Sequence, residues 1–259
     1  MKIISLGAGV QSTTIYYMSS IGFIKRADYA IFADPGLENP QTYEYLKNMI
    51  EWQKKNDSIP IIWDQSKNLY RDLLKQKTST GQRFASIPAY AGVSGMLRRQ
   101  CTQEYKLDIV IKKTRELHGL VFRQRMKPTE MWIGISTDEA GRMKDSRHYN
   151  IVNKYPLIDL LYSRQDCKKW LINNGFEVPP RSACDFCPYH SDYAWKRVKS
   201  NPERWAKVVE IDTIIRDLSE RGVREQAYLH KKLIPIDQVS FSEDQMDLFG
   251  NECEGMCGL

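Results

Sequence analysis

The apolar run Lys2–Leu6 (KIISL) breaks at once into two glycines, Gly7 and Gly9, and then into the hydroxylated residues Ser12, Thr13 and Thr14. A strand that empties into a glycine turn and resumes as a helix opens an α/β unit. Such an opening restricts the later elements to those that can stack on a parallel sheet. The stretch from Ser12 to about Gly22 has helical apolar spacing through Ile15, Met18 and Ile21. DYAIFAD reads as a second strand ending at Asp34. NPQTYEYLKNMIEWQKKN then begins with a proline and continues as an amphipathic helix. IPIIW supplies a third strand and EMWIGIS a fourth.

The expected fold is therefore α/β, a doubly wound and mostly parallel sheet with helices on both faces, followed by a helical C-terminal region. The ligand of such a sheet binds past the carboxyl ends of its strands, where both GAGVQST and ADPG fall. From Ser66 to Lys106 the periodicity weakens, and the segment reads as mobile or substrate-facing. WKRVKSNPERWAKVVEIDTIIRDLSE is helical in pattern, and SFSEDQMDLFGNECEGMCGL reads as a polar tail. The expected division is 1–190, a nucleotide-binding domain with a cysteine metal site, and 191–259, a helical extension with a cysteine-bearing tail.

A turn with glycines at Gly7 and Gly9 lets backbone N–H groups approach an anion at a helix N-terminus, and Ser12 adds a hydroxyl. The turn lacks the third glycine of the dinucleotide fingerprint, since Ser12 stands there, and the Gly-Lys-Ser/Thr of a Walker loop. A turn needed only for packing is the other reading.

Composition narrows the class further. With 42% hydrophobic and 27% charged residues in 259, the chain is ordinary globular protein, with neither disordered nor fibrous character. Its 38 Lys and Arg against 32 Asp and Glu leave a net charge of +6, which suits an anionic ligand or a nucleic acid. The basic stretches MLRRQ and FRQRMK are where a nucleic-acid substrate would be met, although such runs are more often a solvated face. No window approaches the roughly 18 apolar residues of a spanning helix, and no signal peptide is recognisable, so a cytoplasmic protein without a membrane partner is expected. In that reducing compartment the six cysteines point to metal ligands, redox thiols or core residues.

GAGVQS resembles the pyrophosphate loop, usually Ser-Gly-Gly-x-Asp-Ser, of the adenine-nucleotide α-hydrolase superfamily, also called the PP-loop ATP pyrophosphatases. FADPGLENPQTYEYL is similar to that superfamily's Asp-Thr-Gly segment and its Pro-x-Thr helix. WIGISTDEAGRMKD resembles the Gly-Ile-Arg-x-Asp-Glu-Ser segment of the phosphoadenosine phosphosulfate (PAPS) reductase branch, and YPLIDL and CDFCP follow in the expected order. The chain departs from the pattern at Gln11, Pro35 and Ser136, which stand for Asp, Thr and Arg. The resemblance implies ATP and Mg2+, with Gly7, Ala8, Gly9, Gln11, Ser12 and Thr13 around the phosphates and Asp34 near the nucleoside. Glu139 and Arg142 would form the opposite lip, with Gln11 and Arg142 in catalytic positions and Arg142 or Arg147 neutralising phosphate charge.

Cys184 and Cys187 have the C-x2-C spacing that lets two thiolates meet at one metal centre. Cys101, in RRQCTQEYK, resembles the Cys-Cys-x3-Lys segment of adenylylsulfate reductases that hold an iron–sulfur cluster, with Thr102 for the second Cys and Lys106 for the lysine. The resemblance implies a 4Fe-4S cluster on Cys101, Cys184 and Cys187, and Cys167 is the candidate fourth ligand. Zinc, with His190 joining Cys184 and Cys187, is the alternative metal. MCGL at the end resembles the Cys-Gly-Leu/Ile-His terminus of PAPS reductases, which implies a nucleophilic role for Cys257, near Cys253.

Three functions stay open on these residues. One is an ATP pyrophosphatase that adenylates a substrate for sulfur transfer, with a sulfur donor as partner. Another is a PAPS or adenylylsulfate reductase working with a thiol reductant. The last is a non-catalytic sensor of nucleotide or cluster. Oligomeric state is not legible.

Overall fold

The computed structural model describes residues 1–76, 87–92, 95–121 and 123–242. Cys253 and Cys257 lie outside the described residues. Five strands, β1 (Lys2–Ser5), β2 (Tyr29–Ala33), β3 (Ile61–Asp64), β6 (Thr129–Ile133) and β7 (Ile151–Lys154), form one parallel sheet in the order β3-β2-β1-β6-β7. The winding reverses at β1, so its carboxyl end and that of β6 flank the crevice where open parallel sheets bind ligands.

Alternation along each strand builds two cores. Ile4, Phe32 and Trp132 face one way, onto α1 (Val10–Ser20), α2 (Pro40–Lys55), the single turn α5 (Pro156–Asp159) and α6 (Arg164–Asn173). Ile3, Ile31, Met131 and Ile133 face the other, onto Leu107, Ile109 and Val110 at the start of α4 (Asp108–Leu117). The start of α2 follows from its sequence. The side chain of Asn39 accepts from Gln41 N, Pro40 occupies the first turn, and Lys54 and Lys55 sit in the last, where the helix dipole favours cations. The strand β7 is a sheet edge that the periodicity did not announce, because IVNK is half polar and only its first residue is buried.

A third core joins α3 (Leu69–Leu74), the small antiparallel sheet β4 (Tyr90–Ala91), β5 (Gly95–Met96) and β8 (Ala227–Tyr228), and helices α7 (Asp192–Lys199) and α8 (Pro202–Ile214). It fixes the described parts of Ser66–Lys106, read as mobile or substrate-facing, in a core; residues 77–86, 93 and 94 lie outside the described residues. Leu69, Leu73, Ile87, Ala89, Ala91 and Tyr105 are buried there. Their partners, including Trp195, Val208 and Ile211, come from far later in the chain, out of reach of any local pattern. The same core draws residues from both sides of position 190. The long helical run predicted after Cys187 is two helices, because Asn201 caps a new N-terminus and Pro202 begins it. No described helix is long and apolar enough to cross a membrane.

Candidate functional site

The turn after β1 is held by its own residues. Ser12 Oγ accepts from Gly7 N at 3.1 Å and lies 3.4 Å from Gly9 O, so the hydroxyl expected to meet a ligand also staples the loop. Ala8 takes the left-handed conformation (φ 54°) that favours glycine, and Gly9 precedes the first helical residue. The N–H groups of Val10, Gln11 and Ser12 belong to the first turn of α1 and have no intrahelical acceptor, and the positive end of the helix dipole adds to their attraction for an anion. Gly134, after β6, is glycine because of close approach: a Cβ there would stand 2.6 Å from Ser12 N. Thr13, expected beside the phosphates, is fully buried, and its Oγ1 has no hydrogen-bond partner among the described residues.

Across the crevice, two short 3₁₀ turns meet at Glu139 within Thr137–Arg142. Gln11 Nε2 donates to Ser136 Oγ and to Glu139 Oε2, both at 3.3 Å, and Arg142 Nη1 donates to Glu139 Oε1 at 2.7 Å. Gln11, Glu139 and Arg142 are thus brought together opposite the glycine turn. Arg147 instead lines a largely apolar cavity between α4 and strands β1, β6 and β7, with Ser5, Leu107, Met131 and Ile133.

The carboxylate of Asp34 is saturated. It accepts from Gly36 N and Tyr43 Oη at 2.8 Å and from Trp63 Nε1 and Gln65 Nε2 at 3.0 Å. Tyr43 stacks on Trp63, and burial, then the neighbouring acids, raises its phenol far above the usual range, so it donates as a neutral hydroxyl. Asp34 therefore organises the carboxyl ends of β2 and β3.

That organisation leads to the thiols. Tyr43 Oη also accepts from Glu38 N at 3.1 Å. Glu38, 1% exposed, pairs with Cys184 in an isolated antiparallel bridge, and Asp185 N donates to Leu37 O. Its carboxylate accepts from Lys106 Nζ at 3.0 Å, Ser182 Oγ at 3.3 Å and Cys184 Sγ at 3.9 Å. Cys101, Cys184 and Cys187 line one pocket, with Arg99, Lys106, Pro35 and the apolar side chains of Leu69, Ile87 and Phe186.

Cys167 is placed elsewhere. It is 0% exposed on α6, in the core that contains Ile15, Met18 and Leu171, and does not line that pocket. The sulfur set brought together has three members from the described residues. His190 is also outside the lining. Its ring packs edge-on against Trp195, 4.8 Å between centres, and burial, with Arg181 beside it, pushes its pKa down to about 3. Among the described residues no group of three or more His, Cys, Asp or Glu side chains is arranged to hold a metal ion.

Glu38, Tyr43 and Trp63 are site residues that sequence reasoning missed, while Arg99 lies in the basic stretch MLRRQ already named. Glu38 carries no signal of its own, because its partners Lys106 and Cys184 are 68 and 146 positions away.

Comparison with protein-family models, with curated proteins and with solved structures gave no match.

Proposed function

We propose that this chain is an adenine-nucleotide-binding enzyme that cleaves ATP to AMP and pyrophosphate, adenylating an acceptor for sulfur transfer beside a thiolate-held iron–sulfur cluster. One observation carries the reading: an anion-competent turn and a three-thiol pocket stand at the same end of one parallel sheet, joined through Asp34, Tyr43 and Glu38. The resemblance of GAGVQS, ADPG and GISTDEAGR to PAPS reductase-like segments supports the same end of the sheet.

In this reading an acceptor oxygen attacks the α-phosphate, the α–β bond breaks, and pyrophosphate leaves. A sulfur nucleophile then displaces AMP. The N–H groups at the start of α1 stabilise charge that develops on the phosphate. Arg142 reaches phosphate oxygens by exchanging part of its Glu139 pairing, and Gln11 keeps Glu139 aimed across the crevice.

The donor set suits a cluster. It is three soft sulfur donors in an apolar wall, with the Arg99 guanidinium beside them to offset a cluster's negative charge and Lys106 neutralising the adjoining Glu38. Zinc is disfavoured by the placement of His190, which does not line the pocket. Bound to Cys101, Cys184 and Cys187, an iron–sulfur cluster supplies an iron that holds sulfur or passes electrons.

The test is turnover on anaerobically purified protein with iron, sulfide and zinc measured on the same sample. AMP and pyrophosphate formed from ATP support the proposal. Sulfite released from PAPS with a thiol reductant, and no AMP from ATP, replaces it with the reductase. Tight nucleotide binding with neither product replaces it with the sensor.

A further inference from the structure

The thiol pocket opens beside an alternation of planar and cationic side chains that the proposed chemistry does not use. Arg99 lines the pocket, and its guanidinium lies 5.1 Å from the centre of the Tyr189 ring. Tyr189 is 39% exposed and Tyr193, in the first turn of α7, is 49% exposed. Arg197 follows Tyr193 by four residues, one turn further along the same helical face. It donates to Gln41 Oε1 at 3.0 Å, which carries the stripe to the first turn of α2.

The acids of this segment are paired. Asp185 is held by Arg204 through two hydrogen bonds, at 2.8 and 2.6 Å, and Asp192 accepts from Ser242 and contacts His230. Arg197 and Arg99 are the charges placed next to the rings, and Arg98, exposed, precedes Arg99 in the chain. A patch of lysines would attract any polyanion. Tyrosine faces and guanidinium planes also stack on nucleobases, which a duplex keeps covered and a single strand offers.

Resting on the proposed sulfur chemistry and naming its acceptor, we infer that Arg99, Tyr189, Tyr193 and Arg197 form a docking surface for single-stranded nucleic acid, which presents an unstacked base at the thiol pocket.

The experiment uses the full chain, purified anaerobically, with fluorescein-labelled oligonucleotides about 12 nucleotides long, within the usual span of such grooves. Anisotropy is read for a ribo strand, a deoxyribo strand, a duplex and a glutamate-rich peptide of similar charge. A single strand should bind at least about tenfold more tightly than duplex or peptide, with Tyr189→Ala weakening it roughly 5- to 100-fold and Tyr189→Phe restoring it. Arg197→Ala should lower the slope of log affinity against log salt by about one. The tighter of the ribo and deoxyribo strands identifies the source. Tyr193→Ala, at an exposed helix position, serves if Tyr189→Ala does not fold.

The inference is overturned if protein that binds ATP binds no strand, if duplex or peptide binds as well, or if Tyr189→Ala and Tyr193→Ala bind like the parent. Calorimetry with ATP on each sample separates the two claims. Strand binding without ATP binding overturns the adenylation reading and leaves the surface standing.

Discussion

Glu38 and Cys184 face each other across an antiparallel bridge, and the carboxylate of Glu38 lies 3.0 Å from Lys106 Nζ and 3.9 Å from Cys184 Sγ. One acid thereby holds the loop after β2 to the thiol segment. The Glu38 side chain is 0% exposed and that of Lys106 is 14% exposed, so neither charge is satisfied by water if the other is removed. Glu38→Ala should destabilise the protein by about 3 kcal/mol, and Lys106→Met by a similar amount. The double variant should cost less than the sum, because it strands no charge. Urea unfolding of the four proteins measures the coupling; additive losses would show that the pair is not a unit.

Gly134 should not accept a side chain. Its Cβ would meet Ser12 N at 2.6 Å, a main-chain atom on a helix that is buried from Val10 to Ser19 and cannot shift freely. Gly134→Ala is expected to cost about 2 kcal/mol and to weaken ATP binding with it. Ala8→Gly should do the opposite for stability, since Ala8 already sits at φ 54°. Thermal melts with ATP calorimetry check both. Full ATP affinity in Gly134→Ala would show that the turn does not hold the nucleotide.

How much of this was legible depended on whether each contact was local. The unit Lys2–Ser20 could be read because strand, turn and helix are consecutive and each carries its own pattern. Asp34 was found for its place at a strand end, yet its four donors, from Gly36, Tyr43, Trp63 and Gln65, reveal an organiser of neighbouring loops rather than a group turned to a ligand. Cys184 and Cys187 were legible by spacing and Cys101 by resemblance. Cys167 looked equivalent in sequence, and only the packing of α6 on α1 separates it from them. The third core was illegible, because Leu69 and Ala91 bury themselves against residues beyond Ser191 that no window contains.

Arg142 and Gln11 should differ in how they fail. Arg142→Ala removes a cation from the lip and should weaken ATP binding about tenfold, and Arg142→Lys should restore only part of it because the planar fork is lost. Gln11→Leu leaves that charge in place but releases Glu139, to which the amide donates at 3.3 Å. Its expected signature is a lower kcat with ATP affinity changed less than about threefold, roughly the size of one weak hydrogen bond. Steady-state kinetics with calorimetry separate the two, and a Gln11→Leu enzyme with parental kcat would remove Gln11 from the chemistry.

The stability of the C-terminal helices should fall with acid. Burial alone would raise the Asp192 carboxyl, but the hydrogen bonds from Ser242 and the contact with His230 outweigh it and hold the carboxyl below its usual range. Burial also holds the His230 imidazole below its ordinary value, against the pull of Asp192. Both folded pKa values lie below their unfolded ones. The His230 contribution is thus complete above about pH 6.5 and lost as pH falls through the folded value, and the Asp192 contribution behaves likewise below about pH 3.9. Urea midpoints from about pH 8 to about pH 4 should decline below about pH 6.5; His190, whose pKa is pushed down to about 3, contributes to that decline, and His230→Gln should make it shallower without abolishing it. An unchanged slope in the variant would assign the acid sensitivity elsewhere.

Cys167 provides the sharpest division between the two halves of the thiol assignment. It is packed in the core between α1 and α6, while Cys101, Cys184 and Cys187 line the pocket beyond β2. Cys167→Ala should therefore retain parental iron and sulfide per chain and lose about 1 kcal/mol of stability, the cost of a small buried side chain. Cys184→Ala and Cys187→Ala should each lose most of the iron and the visible charge-transfer absorption that thiolate–iron bonds produce. The three variants differ by one sulfur atom apiece, so iron, sulfide and absorbance measured after the same anaerobic purification compare position alone. Loss of iron in Cys167→Ala, in protein whose melting temperature falls no further than expected, would return that residue to the ligand set and require α6 to move toward the pocket.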